Sequence, residues 1–334
     1  MEKMKKIKQL IKQTPYVYDI ADVIFKKQII DQRKITNVMF YTTDRCNSLC
    51  KHCFIWNKKP NYDLPLGLIK DVLQSKHLAK TASFGLEGGE FFMHPKYEEI
   101  LELFRDKEYV LYTNGILYEK VIEAVNKFQI KNIQISMEGT KETYKRMRGV
   151  DTYDNIMEII RLLKGKTKIN IAYTFAQWNT KEDYLHVKKL CEQEGLTFLY
   201  KNVYTEMYYM DTKYPEQEIP LLEEFEDEYL NLFNKWMKKE VKLPCWSINT
   251  KIQIWANGEV PMCQYKNVVL GNLHQQKFDE IWESEKTKQL QKANNSCNGC
   301  WVSYHRGFDL NYINSVKKVI PGPLQKIFVG NKSF

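Results

Sequence analysis

Three cysteines within eight residues constrain this chain more than any other feature. They form the run Cys46-Asn-Ser-Leu-Cys50-Lys-His-Cys53, spaced C-x3-C-x2-C. Three thiolates so close together can hold three irons of one cubane cluster, and with no fourth cysteine nearby the last iron is left to a small ligand. A zinc ion would want a fourth Cys or His to close its tetrahedron. His52 is close, but directly beside Cys53 it is awkwardly placed to reach the same metal. The chain has eight cysteines in all. Its basic N-terminus lacks the continuous apolar stretch and small-residue cleavage site of a secretory signal, so the expected location is cytoplasmic. There, so many thiols point to metal binding rather than disulfides.

Further motifs follow in order. Gly88-Gly89-Glu90 comes after the apolar run 82–86, and two glycines let backbone approach a ligand closely. Ile133-Gln-Ile-Ser136-Met-Glu138-Gly139 is a strand with a polar end, and Arg148-Gly149 follows it. Singly, each has a bland alternative: a turn, a cap, a surface arginine. Together and in this order, downstream of a strand over 37–42, they resemble the radical SAM superfamily. That resemblance implies a cluster held by Cys46, Cys50 and Cys53, whose open iron binds the amine and carboxylate of S-adenosylmethionine. An electron cleaves the sulfonium bond, and the resulting 5′-deoxyadenosyl radical takes a hydrogen from substrate. It further implies that Gly88, Gly89 and Glu90 meet the SAM amine and that Ser136 reaches its ribose or carboxylate. Arg148 would pair with the carboxylate, a geometry that guanidinium favours. Three positions depart from the family pattern: His52 where an aromatic is common, Phe91 where Pro usually follows the Glu, and Glu138 where Asp is common.

A second group contains Cys245, Cys263, Cys297 and Cys300. Ile252, Ile254 and Ala256 alternate with their neighbours, and Asn257-Gly258 is a strong two-residue turn signal, so a hairpin here would bring Cys245 and Cys263 together. Cys297-Asn-Gly-Cys300 adds two ligands from one tight turn, making four for one cubane. Gly271-Asn-Leu and Phe278-Asp-Glu-Ile-Trp282 lie between. The pattern resembles the twitch domain, the shortened form of the SPASM extension of radical SAM enzymes. One auxiliary cluster is expected, giving two 4Fe-4S clusters in all. The alternative is a structural zinc knot, although a ribbon normally uses two short CxxC pairs. Cys191 remains, on a helix expected over Lys181–Glu194; it is a core thiol or, in an epimerase, a hydrogen-atom donor.

With 334 residues, one large and one smaller domain are expected, at ~150 residues each. No stretch approaches the ~18 apolar residues of a membrane span. Strands are expected at 37–42, 81–86, 109–113, 131–137, 168–175 and 196–202. Helices fall between them, among them Lys96–Phe104, Tyr118–Lys127 and Tyr153–Leu163. Six strand–helix repeats imply an α/β fold with a parallel, barrel-like sheet. The resemblance makes it a partial (β/α)6 barrel with functional groups at the strand C-terminal ends, followed by a small β-hairpin plus helix cluster domain. The expected division is a helical basic extension over 1–36, the barrel over 37–202 and a linker helix over 203–244. The twitch domain then takes 245–300 and a tail 301–334. An aromatic stripe of Leu222, Phe225, Tyr229, Phe233 and Trp236 reads as packing.

The net charge is +9, and nine Lys or Arg face four acids in the first 34 residues. Ile7, Leu10 and Ile11, then Val17, Ile20, Ala21 and Ile24, keep helical spacing there. A solvated helix face is preferred to an interfacial helix touching a membrane surface. Elsewhere basic residues alternate with acids and no RNA-binding signature occurs, so no nucleic-acid partner is expected. The resemblance implies an electron donor such as flavodoxin or ferredoxin. An auxiliary cluster can take the second electron of an oxidation, and the resemblance to twitch-domain alcohol dehydrogenases implies dehydrogenation of a small polyhydroxy or sugar-like substrate. Peptide-modifying members of the family it resembles often carry a longer N-terminal recognition module, and with 36 residues before the first expected strand a small substrate is the expectation here. Epimerisation or peptide modification stays as the alternative reaction, and a non-catalytic zinc or nucleic-acid-binding protein as a distant one. Tyr173, Tyr200, Lys201 and Glu206 are candidate substrate contacts.

Overall fold

The computed structural model describes residues 15–203 and 228–329. Along the chain, α1 (Pro15–Asp31) precedes β1 (Ile35–Tyr41), α2 (Leu66–Leu73), β2 (Leu78–Glu87), α3 (Tyr97–Leu103) and β3 (Tyr109–Thr113). There follow α4 (Tyr118–Phe128), β4 (Asn132–Ser136), α5 (Lys141–Arg148), α6 (Tyr153–Leu163), β5 (Lys168–Phe175), α7 (Lys181–Glu194) and β6 (Thr197–Val203). After α8 (Glu228–Met237) come β7 (Lys251–Ile254), β8 (Glu259–Pro261), β9 (Val269–Asn272), α9 (Phe278–Glu283) and α10 (Glu285–Asn294). The last elements are α11 (Ser303–Val319) and α12 (Gly322–Val329).

Two compact units share these elements. The larger contains described residues 36–203 and 251–290; the smaller contains 15–35, 228–250 and 291–329.

The larger unit is built on a seven-stranded sheet in the order β6-β5-β4-β3-β2-β1-β7. Parallel pairing joins β7 to β1 and each neighbour from β2 to β6. In β3 to β5, Leu111, Ile133, Ile135, Ile169 and Ile171 are buried. Helical stripes supply the rest of the core: Val121, Ala124, Val125 and Phe128 on α4, and Ile156, Ile159, Ile160 and Leu163 on α6. Both repeat at i, i+3, i+4 and i+7, which places them on one face. Thr180 and Asp183 form a reciprocal capping box at the start of α7. Tyr184, Val187 and Cys191 are buried on that helix, whose neighbours are β5 and β6.

The expectation of a hairpin across Asn257-Gly258 is corrected. The run before the turn becomes β7 and pairs with β1, while β8, after the turn, pairs antiparallel with β9. The reason is burial: Ile252, Gln253 and Ile254 are all fully buried, so neither face of β7 is left to solvent. That is the condition of a strand in a covered parallel sheet. The turn itself survives, with Gly258 at φ +79° and the Trp255 amide donating to Glu259 O at 2.9 Å.

In the smaller unit, Tyr229, Phe233 and Trp236 of α8 surround the buried Trp301 with ring centroids at 5.6 Å. The aromatic stripe is therefore packing; Leu222 and Phe225 lie outside the described residues. Residues beyond Cys300 form α11, which buries Leu310, Tyr312, Ile313 and Val316. Among the described residues, no helix is long and apolar enough to cross a membrane.

Candidate functional site

The first cysteine group lies in the loop after β1, and three other strand ends or helix ends hold that loop. From β2, Gly89 N–H donates to Thr43 O at 2.7 Å and Glu90 N–H to Arg45 O at 2.8 Å. No side chain fits there: a Cβ on Gly89 would lie 2.3 Å from Arg45 O and 2.9 Å from the Cys46 Cβ. From α5, the C-terminal carbonyls of Met147 and Arg148 accept from Lys51 and Leu49 N–H, each at 2.9 Å. Gly149 ends that helix at φ +69°, where its own Cβ would strike Leu49 O. From β3, the Asn114 amide donates to Asn47 Oδ1 at 2.8 Å and lies 3.9 Å from the Cys46 sulfur.

Each residue singled out from the sequence has a definite place here. Glu90 is buried, and its carboxylate accepts from Thr113 Oγ1 at 2.9 Å, Asn114 N–H at 2.7 Å and Phe92 N–H at 3.3 Å. Burial pushes it up to about 7 despite those bonds. Ser136 ends β4, opposite Ala172 in register. Arg148 is buried and forks onto Glu138, with Nε 2.7 Å from Oε2 and Nη2 donating to Oε1. Its Nη1 lies 3.4 Å from the Cys50 sulfur. Ser48 Oγ is 3.0 Å from the same sulfur and donates to Arg148 O at 3.1 Å.

The thiols feel one another. Burial, then the neighbouring Cys50, pushes the Cys53 thiol up to about 12 and raises Cys46 further. Ionising them together needs a compensating cation. Burial, aided by the Arg148 guanidinium, keeps the His52 ring neutral, and its buried Nδ1 has no hydrogen-bond partner. Among the described residues, no group of three or more His, Cys, Asp or Glu converges as a single metal ion requires. A cubane instead spreads its ligands over separate irons, so three thiols in one pinned loop fit a cluster with three protein ligands.

Two further groups carried no sequence signal of their own. Asn114 is an ordinary strand-end residue until the fold sets it against Asn47. Glu87 ends β2 directly before the glycines, and burial pushes it up to about 7.

The second cysteine group is divided between the units. In the smaller, Cys245 and Cys300 are buried and Cys297 is part-exposed. Arg306, on the first turns of α11 and itself 1% exposed, donates to Cys300 O at 2.9 Å and Pro244 O at 2.8 Å. It so ties the Cys245 segment to the Cys297–Cys300 turn. Asp309 Oδ1 accepts from Trp246 and Ser247 N–H at 3.0 and 3.1 Å. His305 Nδ1 lies 3.1 Å from Ser247 Oγ, which is 3.7 Å from the Cys245 sulfur. Asn298, inside the CxxC turn, accepts from Leu243 N–H and Trp236 Nε1–H at 3.0 and 3.1 Å. In the larger unit, Cys263 is buried in a turn where Lys266 N–H donates to its sulfur at 3.4 Å.

One candidate substrate contact falls away from the site. Tyr173 is fully buried among Phe175, Tyr184 and Phe198, and its hydroxyl donates to Thr180 O at 3.3 Å. It is a core residue, with no solvent exposure and three aromatic rings packed against it. Glu206, and the side chains of Tyr200 and Lys201, lie outside the described residues.

Comparison with known proteins agrees with this layout. Residues 40–186 match the radical SAM superfamily, and residues 245–301 match the SPASM iron-sulfur cluster-binding domain. The chain thus carries a radical SAM domain followed by a SPASM-type iron–sulfur region. The cofactors of these two domains are S-adenosylmethionine and iron–sulfur clusters. A GTP 3′,8-cyclase of Aliarcobacter butzleri is 26% identical over 180 residues, which are 49% of this chain and 54% of that protein. The chain spans about half the length of the curated relatives it matches. Streptococcus suis SuiB, bound to precursor peptide SuiA, shares the fold at TM-score 0.62 and 15% identity, over 82% of this chain and 71% of that one. So does anSMEcpe with AdoMet and the Cp18Cys peptide, at TM-score 0.54 and 16% identity, over 87% and 98% of the two chains.

Proposed function

We propose that this radical SAM enzyme is an oxidoreductase that dehydrogenates a small polyhydroxy or sugar-like substrate. Bound at the site, the cluster and S-adenosylmethionine supply one-electron reductive cleavage and hydrogen-atom abstraction. In this reading Cys46, Cys50 and Cys53 hold that cluster. Gly88, Gly89, Glu90 and Ser136 shape the strand ends against which S-adenosylmethionine lies. Cys245, Cys263, Cys297 and Cys300 hold an auxiliary cluster that accepts the second electron of the oxidation, and the substrate proton leaves to solvent or to a carboxylate. The first electron comes from a donor of the flavodoxin or ferredoxin kind.

One observation carries the reading: three thiols of a single loop are pinned at the strand ends by β2, β3 and α5. The frame around Cys245 and Cys300 supports the auxiliary site. The sugar of GTP, named in the curated relatives, belongs to the preferred substrate class. A peptide substrate is the second reading, because SuiB and anSMEcpe are each seen with a peptide.

The test is iron, sulfide and zinc per chain after anaerobic reconstitution. Two cubanes require about eight irons. Cys297→Ala with Cys300→Ala should lower that to about four and keep 5′-deoxyadenosine formation from S-adenosylmethionine, while product formation stops. Zinc in place of iron at the second site would remove the electron acceptor and the dehydrogenase reading with it. Incubation with polyhydroxy compounds, GTP and peptides then separates the substrate classes by which one accelerates S-adenosylmethionine cleavage.

A further inference from the structure

The geometry points to Arg148, aimed by Glu138, as a positioning residue that sets the reduction potential of the cluster held by the Cys46–Cys53 loop, through an N–H donated to the Cys50 sulfur. This rests on the reading that Cys50 is a cluster ligand.

Three nitrogens of the guanidinium have separate tasks. Nε and Nη2 are engaged by the two oxygens of Glu138, a carboxylate with no solvent exposure. Nη1 is thereby directed at Cys50 Sγ, 3.4 Å away. A guanidinium is planar, so fixing one edge fixes the direction of the remaining N–H. The edge that pairs best with a free carboxylate is thus already occupied by this chain's own carboxylate. Glu138 stands where the family resemblance expects the shorter Asp. Ser48, whose Oγ spans the Cys50 sulfur and Arg148 O, ties the two residues together a second time.

The electrostatic consequence has a sign. A hydrogen bond to a ligating sulfur withdraws electron density and stabilises the more negative, reduced cluster, so it raises the potential. Glu138 cancels most of the guanidinium's net charge at longer range. What remains is a local, aimed N–H beside a partly neutralised cation. Removing the aim and removing the counter-charge must therefore move the potential in opposite directions.

The experiment is a potentiometric titration of the reconstituted full-length protein, following the electron paramagnetic resonance signal that changes on addition of S-adenosylmethionine. Arg148→Lys keeps the charge but cannot make the fork, and the potential should shift negative. Glu138→Gln keeps the shape but uncovers the cation, and the potential should shift positive. Iron and sulfide content should match the unaltered protein in both. Should Arg148→Lys lose the cluster, Glu138→Gln decides alone, a positive shift supporting the inference. Unchanged potentials, or shifts of the same sign, would overturn it, because a merely structural pair alters stability without opposed shifts. A Cys50→Ala protein that keeps all its iron would instead overturn the underlying ligand assignment.

Discussion

The Glu90 carboxylate accepts the backbone N–H of Asn114 at 2.7 Å, joining the ends of β2 and β3. With Thr113 Oγ1 and Phe92 N–H also donating, both carboxylate oxygens are committed to protein donors. Glu90→Gln replaces one acceptor with an amide that faces another donor. The expected cost is about 1–3 kcal/mol, that of a buried donor left unpaired. Urea denaturation checks it, together with iron content, which should fall as Asn114 loses its hold on Asn47. A variant as stable as the parent would show the three bonds to be dispensable.

Arg306 and Asp309 are both buried in the smaller unit, 3.8 Å apart. Arg306→Met removes the cation beside the Asp309 carboxylate and strands three carbonyl oxygens, those of Leu243, Pro244 and Cys300. Breaking such a buried pair typically costs about 3–5 kcal/mol. The expected result is a large fall in the unfolding midpoint and partial loss of iron. A loss below about 1 kcal/mol would mean the frame is held by packing around Trp301 instead.

Glu87 gives stability a pH dependence of known sign. Its carboxyl is pushed by burial from the ordinary 4.5 up to about 7. Between those values the folded state holds a proton that the unfolded chain has released. The contribution is therefore complete below about pH 4.5 and is lost as pH rises to about 7. For a part-buried group this amounts to roughly 2–3 kcal/mol. Glu87→Gln should flatten the decline in denaturation midpoint between pH 5 and 8; an unaltered profile would assign the decline to other groups.

Cys191 is 1% exposed on α7, and burial pushes its thiol up to about 12. A protonated thiol between a helix and β5–β6 is core packing. Cys191→Ala should cost about 1 kcal/mol, the burial of one small apolar group. Substrate turnover should persist in step with S-adenosylmethionine cleavage. Loss of turnover with cleavage intact would instead make Cys191 a hydrogen-atom donor and the enzyme an epimerase.

Features whose signal is local were legible in the order of residues alone. Periodicity marked β3 at 109–113, β5 at 168–175 and α7 at 181–194 to the residue, because the residues that set each element's bounds are consecutive in the chain. The C-x3-C-x2-C spacing, Gly88-Gly89 and Arg148-Gly149 were equally legible, since each places donor atoms or bare backbone within one turn of chain. Other features join residues far apart in the chain and emerge only on folding. β7 reads as half of a hairpin until both its faces are buried beside β1. His305, Arg306 and Asp309 look like the polar start of a tail. Their role arises when α11 brings them to the carbonyls and amides around Cys245 and Cys300. Arg148 reads as a partner for a bound carboxylate, whereas the fold hands it Glu138 and the Cys50 sulfur. A buried charge takes whatever partner the packing leaves within reach, and sequence spacing does not encode that distance.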